Sequence, residues 1–336
     1  MKPLVKVLSL GGTVAMLDAP DGGVRPALDA ADLVAATPGI DRYARVRSEA
    51  LRRLPGAHLT LTDMLAVAEA VEAAAESGAD GIVITQGTDT LEETAFALEL
   101  LVSVPTPVVV TGAMRPPGEP GTDGPANLRD AIITAATAPA GHGVLVVIGA
   151  QVHAARFVRK AHTSAPSAFT SAPGPLGWVI EQKLHLLSVP AQRALLPARP
   201  ASIDASVALI TASLGCDDRL LRAVPALGYA GTVIEAMGAG HLPETLVEAA
   251  EALAASQPVI LTSRTGSGPV LRHTYGFPGS ERDLLDRGLV HGGYLDGLKA
   301  RVALTLLLSA SASTDDIARF FTRLADTGQP RQGVSV

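Results

Sequence analysis

A single cysteine, Cys216, stands in a chain of 336 residues, so no intramolecular disulfide can form and no cysteine-based zinc cage can be built. Aromatic residues make up only 3% of the chain, with one tryptophan. The hydrophobic fraction of 47% must therefore be met by Ala, Val and Leu, the side chains that fill layered α/β proteins. Charge of one sign never runs on. The formal net charge is −6, without the basic face or stripe of a nucleic-acid binder. No apolar run reaches the roughly 18 residues that a membrane helix needs. The opening MKPLVKVLSLGGTVAM carries Lys6 inside a short apolar run and turns at Gly-Gly-Thr, unlike the long apolar core and small-residue cleavage site of a signal peptide. These exclusions lead us to expect a soluble, cytoplasmic protein with no nucleic-acid or membrane partner.

What is present is an alternation. Short β-branched runs alternate with long Ala/Leu-rich amphipathic segments, over a length that suits two domains. Strands are expected at 5–10, 81–85, 107–111, 144–148, 207–211, 233–237 and 258–262. Most are continuous apolar runs, as in strands buried on both faces of a parallel sheet. Helices are expected at 63–77, 91–102, 124–137, 217–227, 244–255, 297–309 and 314–325. The pattern predicts an α/β fold with right-handed crossovers. From 164 to 202 the rhythm breaks into Pro, Ala and Ser, with a hairpin-like piece around 178–187. The expected division is a larger N-terminal domain with a doubly wound, mostly parallel sheet (1–190), a linker (191–205), and a smaller C-terminal parallel α/β domain (206–336).

Open parallel sheets bind ligands at the carboxyl ends of their strands. There the chain reads LGGTVAM after the first strand, TQGTDTLEETAF after the second and TGAMRPPGEPGTDGPANL after the third. Structural readings cover part of this. Gly11 and Gly12 suit a tight turn that Thr13 can close by a backbone hydrogen bond, and Thr90 with Glu93 matches a helix capping box. GGTVAM has neither the Gly-Lys of a phosphate loop nor the glycine spacing of a dinucleotide site. Capping leaves unexplained why Thr88 and Asp89 stand together with Thr13 at a neighbouring strand end. A threonine hydroxyl is a poor nucleophile unless a neighbour takes its proton. A buried lysine beside an aspartate is one such neighbour, because desolvation lowers a lysine pKa. The segment after the fourth strand, GAQVHAARFVRKAHTSAPSAF, contains one lysine, Lys160. His153 and His162 flank it without a second pair at ligand spacing, so they read as core or surface histidines and no metal is expected. Ser267 lacks the nucleophile-elbow pattern, and Cys216 reads as an inert loop residue.

LGGTVA, TQGTDTLEETAF, GAMRP…TDGPANL and RKAHTSAPSAFTS…GPLGW, followed by GAGH, TSRTGSG and GSERDLLDRGLVHGGYLDGLKAR, together resemble the bacterial-type L-asparaginase family from residue 8 to about 321. The resemblance implies an amidohydrolase that converts L-asparagine to L-aspartate and ammonia without metal or cofactor. It makes Thr13 the nucleophile. It makes Thr88, Asp89 and Lys160 the group that activates the attacking hydroxyl or water and hands protons to the leaving ammonia. Asp89 is also implied to grip the substrate's α-ammonium. Gly87 falls among the substrate-binding positions, and the backbone at Thr88 and Ala113 falls near the developing oxyanion. The loop for the substrate carboxylate falls at Gly56, Ala57 and His58. A neighbouring subunit is implied to complete the site with Glu281, and with His241 where the family often has asparagine, which makes the active unit a homodimer or homotetramer.

The chain also departs from the family pattern. Gln86 stands where the family commonly has the histidine of His-Gly-Thr-Asp-Thr. The lid segment 17–26, LDAPDGGVRP, has no tyrosine, and Tyr43 is too far along to be assigned to it. LPGAHLT lacks a serine. Glutamine or another amide as substrate, and a non-catalytic amino-acid binder, therefore stand as the alternatives.

Overall fold

The structure, a computed structural model, describes residues 1–12, 16–18, 24–26, 30–172, 174–188, 193 and 195–325. Thr13, much of the 17–26 segment, part of the 191–205 linker and residues 326–336 lie outside the described residues. The chain separates into two compact units, Met1–Leu195 and Leu196–Val336.

The first unit contains β1 (Leu4–Gly11), β2 (Met16–Asp18), β3 (Val24–Pro26), α1 (Ala30–Ala35), β4 (Arg45–Leu54), α2 (Leu61–Glu76), β5 (Gly81–Thr85), α3 (Leu91–Leu101), β6 (Val108–Thr111) and α4 (Gly124–Thr137). It continues with β7 (Val144–Ile148), β8 (Gln151–Ala154), β9 (Val158–Lys160), β10 (Phe169–Ser171), β11 (Gly177–Ile180) and β12 (Lys183–Leu186). Eight of these strands form one sheet in the order β12-β11-β8-β7-β6-β5-β1-β4. The run from β7 to β4 is parallel, and β8, β11 and β12 extend it by antiparallel pairing. β5 (GIVIT) and β7 (VLVVI) are buried at every position, as strands covered by helices on both faces must be. Val5, Val7, Val83, Val109, Leu145 and Val147 pack with Leu33 of α1 and Leu128 and Ile132 of α4. The alternate residues of these strands face the other side, where α2 and α3 lie. Gly81 opens β5 because a Cβ there would overlap the Ala135 carbonyl oxygen of α4.

The second unit holds a four-stranded parallel sheet, β13 (Val207–Thr211), β14 (Gly231–Ala236), β15 (Val259–Ser263) and β16 (Val290–His291), in that order. Its helices are α5 (Arg219–Ala223), α6 (Glu244–Ala254), α7 (Glu281–Asp286), α8 (Gly297–Ser309) and α9 (Thr314–Ala325). The fold is thus two-domain α/β, with a large mostly parallel sheet and a smaller parallel one.

Two local expectations are corrected. The helix expected at 217–227 is the five-residue α5 followed by a single 3-10 turn, Pro225–Leu227. Pro225 has no N–H with which to continue an α-helix, and Gly228 ends the turn at φ 75°. The capping box expected at Thr90 and Glu93 is not formed. Thr90 occupies the N-cap position of α3, but its hydroxyl donates to the Gly56 carbonyl at 2.8 Å. A capping box does exist one helix earlier. Thr60 Oγ1 accepts from Asp63 N at 3.2 Å, and Asp63 Oδ2 accepts from Thr60 N at 3.0 Å. Replacing Thr60 by Ala is expected to lower stability by about 1 kcal/mol in urea unfolding while leaving turnover unchanged.

Candidate active site

The order β5-β1-β4 has a functional consequence. From β1 the chain moves out to β4 on one side, then returns past β1 to β5 on the other. The winding reverses at β1, and a crevice opens over the carboxyl ends at such a switch point. At the ends of these three strands stand Gly11-Gly12, Pro55-Gly56 and, after Gln86, Gly87-Thr88. Their backbones touch. A Cβ on Gly12, which has φ 85°, would overlap the Gly87 amide nitrogen. A Cβ on Gly87 would lie 2.8 Å from Gly56 N, and one on Gly56 would lie 3.0 Å from Gly87 O. Gly12 has no room for a side chain, and one at Gly87 or Gly56 would require the facing backbone to shift.

Thr88 follows directly, in a single 3-10 turn (Thr88–Thr90) that runs into α3. Its hydroxyl is buried and lies 2.9 Å from Lys160 Nζ, which donates to it. The same ammonium lies 2.8 Å from Asp89 Oδ1. The Asp89 side chain is 64% exposed and that of Lys160 only 16%, so the three groups run from the interior outward. An ion pair with one partner this exposed adds little stability. Its effect is to orient the amine. Asp89 also sits at the amino end of α3, where backbone N–H groups favour a negative charge. Lys160 ends β9, and its backbone N–H donates to Glu92 Oε2 on α3 at 3.2 Å. A hydroxyl, an amine and a carboxylate in this sequence form a path along which a proton can pass between a buried oxygen and an open one.

The third strand end is braced separately. Ala113 is fully buried after β6, and a Cβ on Gly112 would lie 3.2 Å from Thr88 Cγ2. Asp123 accepts from the backbone N–H groups of Met114 (3.0 Å) and Arg115 (2.9 Å). Asn127 donates to the Gly112 carbonyl and to Asp123, both at 3.0 Å, and accepts from Gly149 N at 2.9 Å. Neither residue stands out in the sequence, because an Asp one residue ahead of Gly-Pro at a helix start reads as an ordinary N-cap. Around the junction Gly56 is buried, whereas Ala57 and His58 are exposed.

The remaining predicted residues lie in the second unit. Glu281 begins α7 and is fully buried. Its Oε1 accepts from Thr274 N and Tyr275 N, both at 2.9 Å, and its Oε2 lies 3.2 Å from His241 Nε2. Burial by itself would raise this carboxyl, but the amides of Tyr275 and Thr274, its own amide and His241 outweigh burial and hold it below the usual glutamate value. The His241 ring meets Tyr275 and Phe277 edge-on, at 4.7 and 5.1 Å between centroids. Of the histidines near Lys160, His162 accepts from Ser164 N and Ala165 N in an exposed turn, at 3.1 and 3.0 Å. His153 is buried in β8, with Nδ1 2.9 Å from Ser171 Oγ, and burial lowers its pKa to about 4.

A hydroxyl, an amine and a carboxylate converging at the switch point of a mostly parallel sheet form a class of site suited to acid–base chemistry. Comparison with known proteins gives the class its family. Residues 4–192 match the family described as Asparaginase, N-terminal, and residues 206–321 match the Glutaminase/Asparaginase C-terminal domain. A Deinococcus radiodurans protein named "Probable L-asparaginase" is 36% identical over 334 residues, covering 96% of this chain and 98% of its own. A protein from Methanobrevibacter smithii, named as a component of glutamyl-tRNA(Gln) amidotransferase, is 30% identical, covering 96% of this chain and 76% of its own. The crystal structure described as that of a "Probable Cytoplasmic L-asparaginase" from Campylobacter jejuni superposes with a TM-score of 0.81 at 27% identity, over 96% of this chain and 99% of that one. The chain belongs to the bacterial-type L-asparaginase family, and it is a hydrolase acting on amide C–N bonds.

His153 gives the fold a dependence on pH. Its folded pKa of about 4 lies below the 6.5 of a free imidazole, so the unfolded chain binds the extra proton. Stability is full above about pH 6.5 and falls as the pH drops towards 4, by at most about 1.4 kcal/mol per pH unit from this group. Urea unfolding at pH 7 and pH 5 is expected to show this loss, and a His153→Leu variant is expected to lack that component.

Proposed function

We propose that this chain hydrolyses the side-chain amide of L-asparagine to L-aspartate and ammonia, with Thr13 as nucleophile and Thr88, Asp89 and Lys160 moving the protons. The observation that carries this reading is the buried Thr88 hydroxyl held 2.9 Å from Lys160 Nζ, which in turn lies 2.8 Å from Asp89. Thr13 Oγ1 forms a bond to the amide carbon, and the carbonyl electron pair moves onto oxygen, near the backbone at Thr88 and Ala113. The hydroxyl proton enters the Thr88–Lys160–Asp89 path. The C–N bond then breaks and a proton is delivered to nitrogen, which leaves as ammonia. Water, deprotonated through Thr88 and Lys160, attacks the resulting ester, and Thr13 regains its proton as the C–O bond breaks. The open side of Asp89 is suited to the substrate's α-ammonium, and the Gly56–His58 turn to its carboxylate. Glu281 and His241 are assigned to the site of a neighbouring copy, in a homodimer or homotetramer. There the ring of His241, its side chain 22% exposed over a wholly buried Glu281, is the group that a neighbour's ligand would meet.

A second reading keeps the chemistry and changes the substrate or the fate of the ammonia. The tyrosine-free lid segment and serine-free carboxylate loop favour an amide other than asparagine, and one matching relative is named as part of an amidotransferase.

Replacing Thr13 or Thr88 by Ala, or Lys160 by Met, is expected to lower ammonia release from asparagine by about 10²- to 10⁴-fold with circular dichroism unchanged. Full turnover in any one variant overturns the role given to that residue. Across a panel of asparagine, glutamine and D-amino acid amides, the chain alone is expected to release ammonia fastest from L-asparagine. A faster glutamine reaction, or none without a partner protein, supports the second reading.

A further inference from the structure

We infer that His153 and Ser171 are positioning residues for Lys160. Their hydrogen bond seats the β9–β10 hairpin on the main sheet and so determines where the lysine amine meets Thr88 and Asp89. The inference rests on the reading of Lys160 as the proton carrier.

Lys160 does not belong to the main sheet. It ends β9, which among the described residues pairs only with β10, in a two-stranded ribbon of three residues each. Such a ribbon is not stable alone, so its placement depends on what it packs against. The register is Phe169 opposite Lys160, Thr170 opposite Arg159, and Ser171 opposite Val158. Paired residues point to the same face of a ribbon. Arg159 and Thr170 are exposed, while Val158 and Phe169 are buried. The inner face therefore carries Val158 and Phe169 on one diagonal and Lys160 and Ser171 on the other. The two polar residues occupy opposite corners, about 8 Å apart from strand spacing and rise.

Each corner is tied to a different element. Lys160 reaches Thr88 and Asp89 ahead of α3, at 2.9 and 2.8 Å. Ser171 Oγ meets His153 Nδ1 of β8 at 2.9 Å. Val158 and Phe169 supply apolar contact, which resists sliding weakly because it has no direction. The Lys160 corner has a backbone tie of its own, Lys160 N to Glu92 Oε2 at 3.2 Å, and the hydrogen bond at the Ser171 corner is the second fixed point that sets the ribbon's direction. His153 is an awkward residue to bury for packing alone. It is fully inaccessible, and its Nε2 has no hydrogen-bond partner among the described residues. A leucine fills a similar volume without desolvating an unmatched nitrogen. What a leucine cannot supply is the bond to Ser171.

The test uses the full-length chain and steady-state ammonia release from asparagine. Ser171→Ala and His153→Leu are each expected to lower kcat about tenfold with KM within about twofold, the effect of a displaced proton carrier in an intact binding site. The double variant is expected to fall no further than either single one. His153→Asn places an amide N–H near the former Nδ1 and is expected to recover most of the lost kcat. In a Lys160→Met background, Ser171→Ala is expected to change the residual rate less than twofold. Should His153→Leu fail to fold, Ser171→Ala, a smaller change, carries the same test. A lowered Tm with kcat intact, additive losses in the double variant, or an equal tenfold loss in the Lys160→Met background would overturn the inference. Full turnover in Lys160→Met alone would instead overturn the reading of Lys160 on which the inference rests.

Discussion

Three glycine backbones in contact set the terms for the rest of the N-terminal unit. β1 is flanked by β4 and β5 at ordinary strand spacing, so the loops leaving their carboxyl ends start within one residue's width of each other. A side chain on Gly12 would overlap the Gly87 backbone, and one on Gly56 or Gly87 would crowd the backbone of the other. Their contact brings Thr88, the residue after Gly87, to the junction beside the loop after β4. Thr90 reinforces the junction by donating to the Gly56 carbonyl, which ties the loop after β4 to the turn after β5. The hydroxyl that sequence reasoning assigns to capping serves the crevice instead.

Around that junction the supporting groups come from independent elements. The Gly112–Arg115 loop is braced by Asp123, at the N-cap of α4, and by Asn127 in its first turn. Lys160 arrives on a hairpin outside the main sheet, held by Glu92 on one side and by the Ser171–His153 bond on the other. The arrangement separates two requirements. Strand ends place backbone amides and hydroxyls with little freedom, because every neighbour is close-packed backbone. The amine arrives instead on a short ribbon tied to its neighbours through side chains.

What the sequence made legible follows from burial. β5, β7 and β13, and the helices α4, α8 and α9, lie where periodicity puts them, because continuous apolar runs and long amphipathic segments have few alternative packings. β4 is invisible to that argument. As the edge strand RVRSEALRRL it has one neighbour among the described residues, exposes all four of its arginines, and so looks like a charged loop. β8 to β10 are three or four residues each, too short to show a period, whereas β11 and β12 form the hairpin expected around 178–187. Within the site, Thr88 and Asp89 are recognisable from local pattern, and Lys160 from being the lone lysine of its segment together with the family resemblance. Asp123, Asn127, Glu92 and His153 are not, because each acts on a backbone or side-chain atom from which only the fold makes it a neighbour.

The polar groups of the two units are built for different physical tasks. In the first, a buried hydroxyl, a largely buried amine and an open carboxylate form a graded path, with each group able to exchange a proton with the next. In the second, the Glu281 carboxylate accepts backbone N–H groups from Thr274 and Tyr275 and faces His241, so it is anionic before any ligand arrives. A carboxylate held below its usual pKa despite full burial is a poor proton carrier near neutrality, since its protonated form is the unfavourable one. It is suited to holding a fixed charge. With Glu281 ionised, His241 Nε2 must present its N–H to Oε2, which fixes the ring between the acid and the edges of Tyr275 and Phe277. The two carboxylates thus differ in setting: Asp89 is open to solvent beside an amine, whereas Glu281 is buried and saturated by backbone amides.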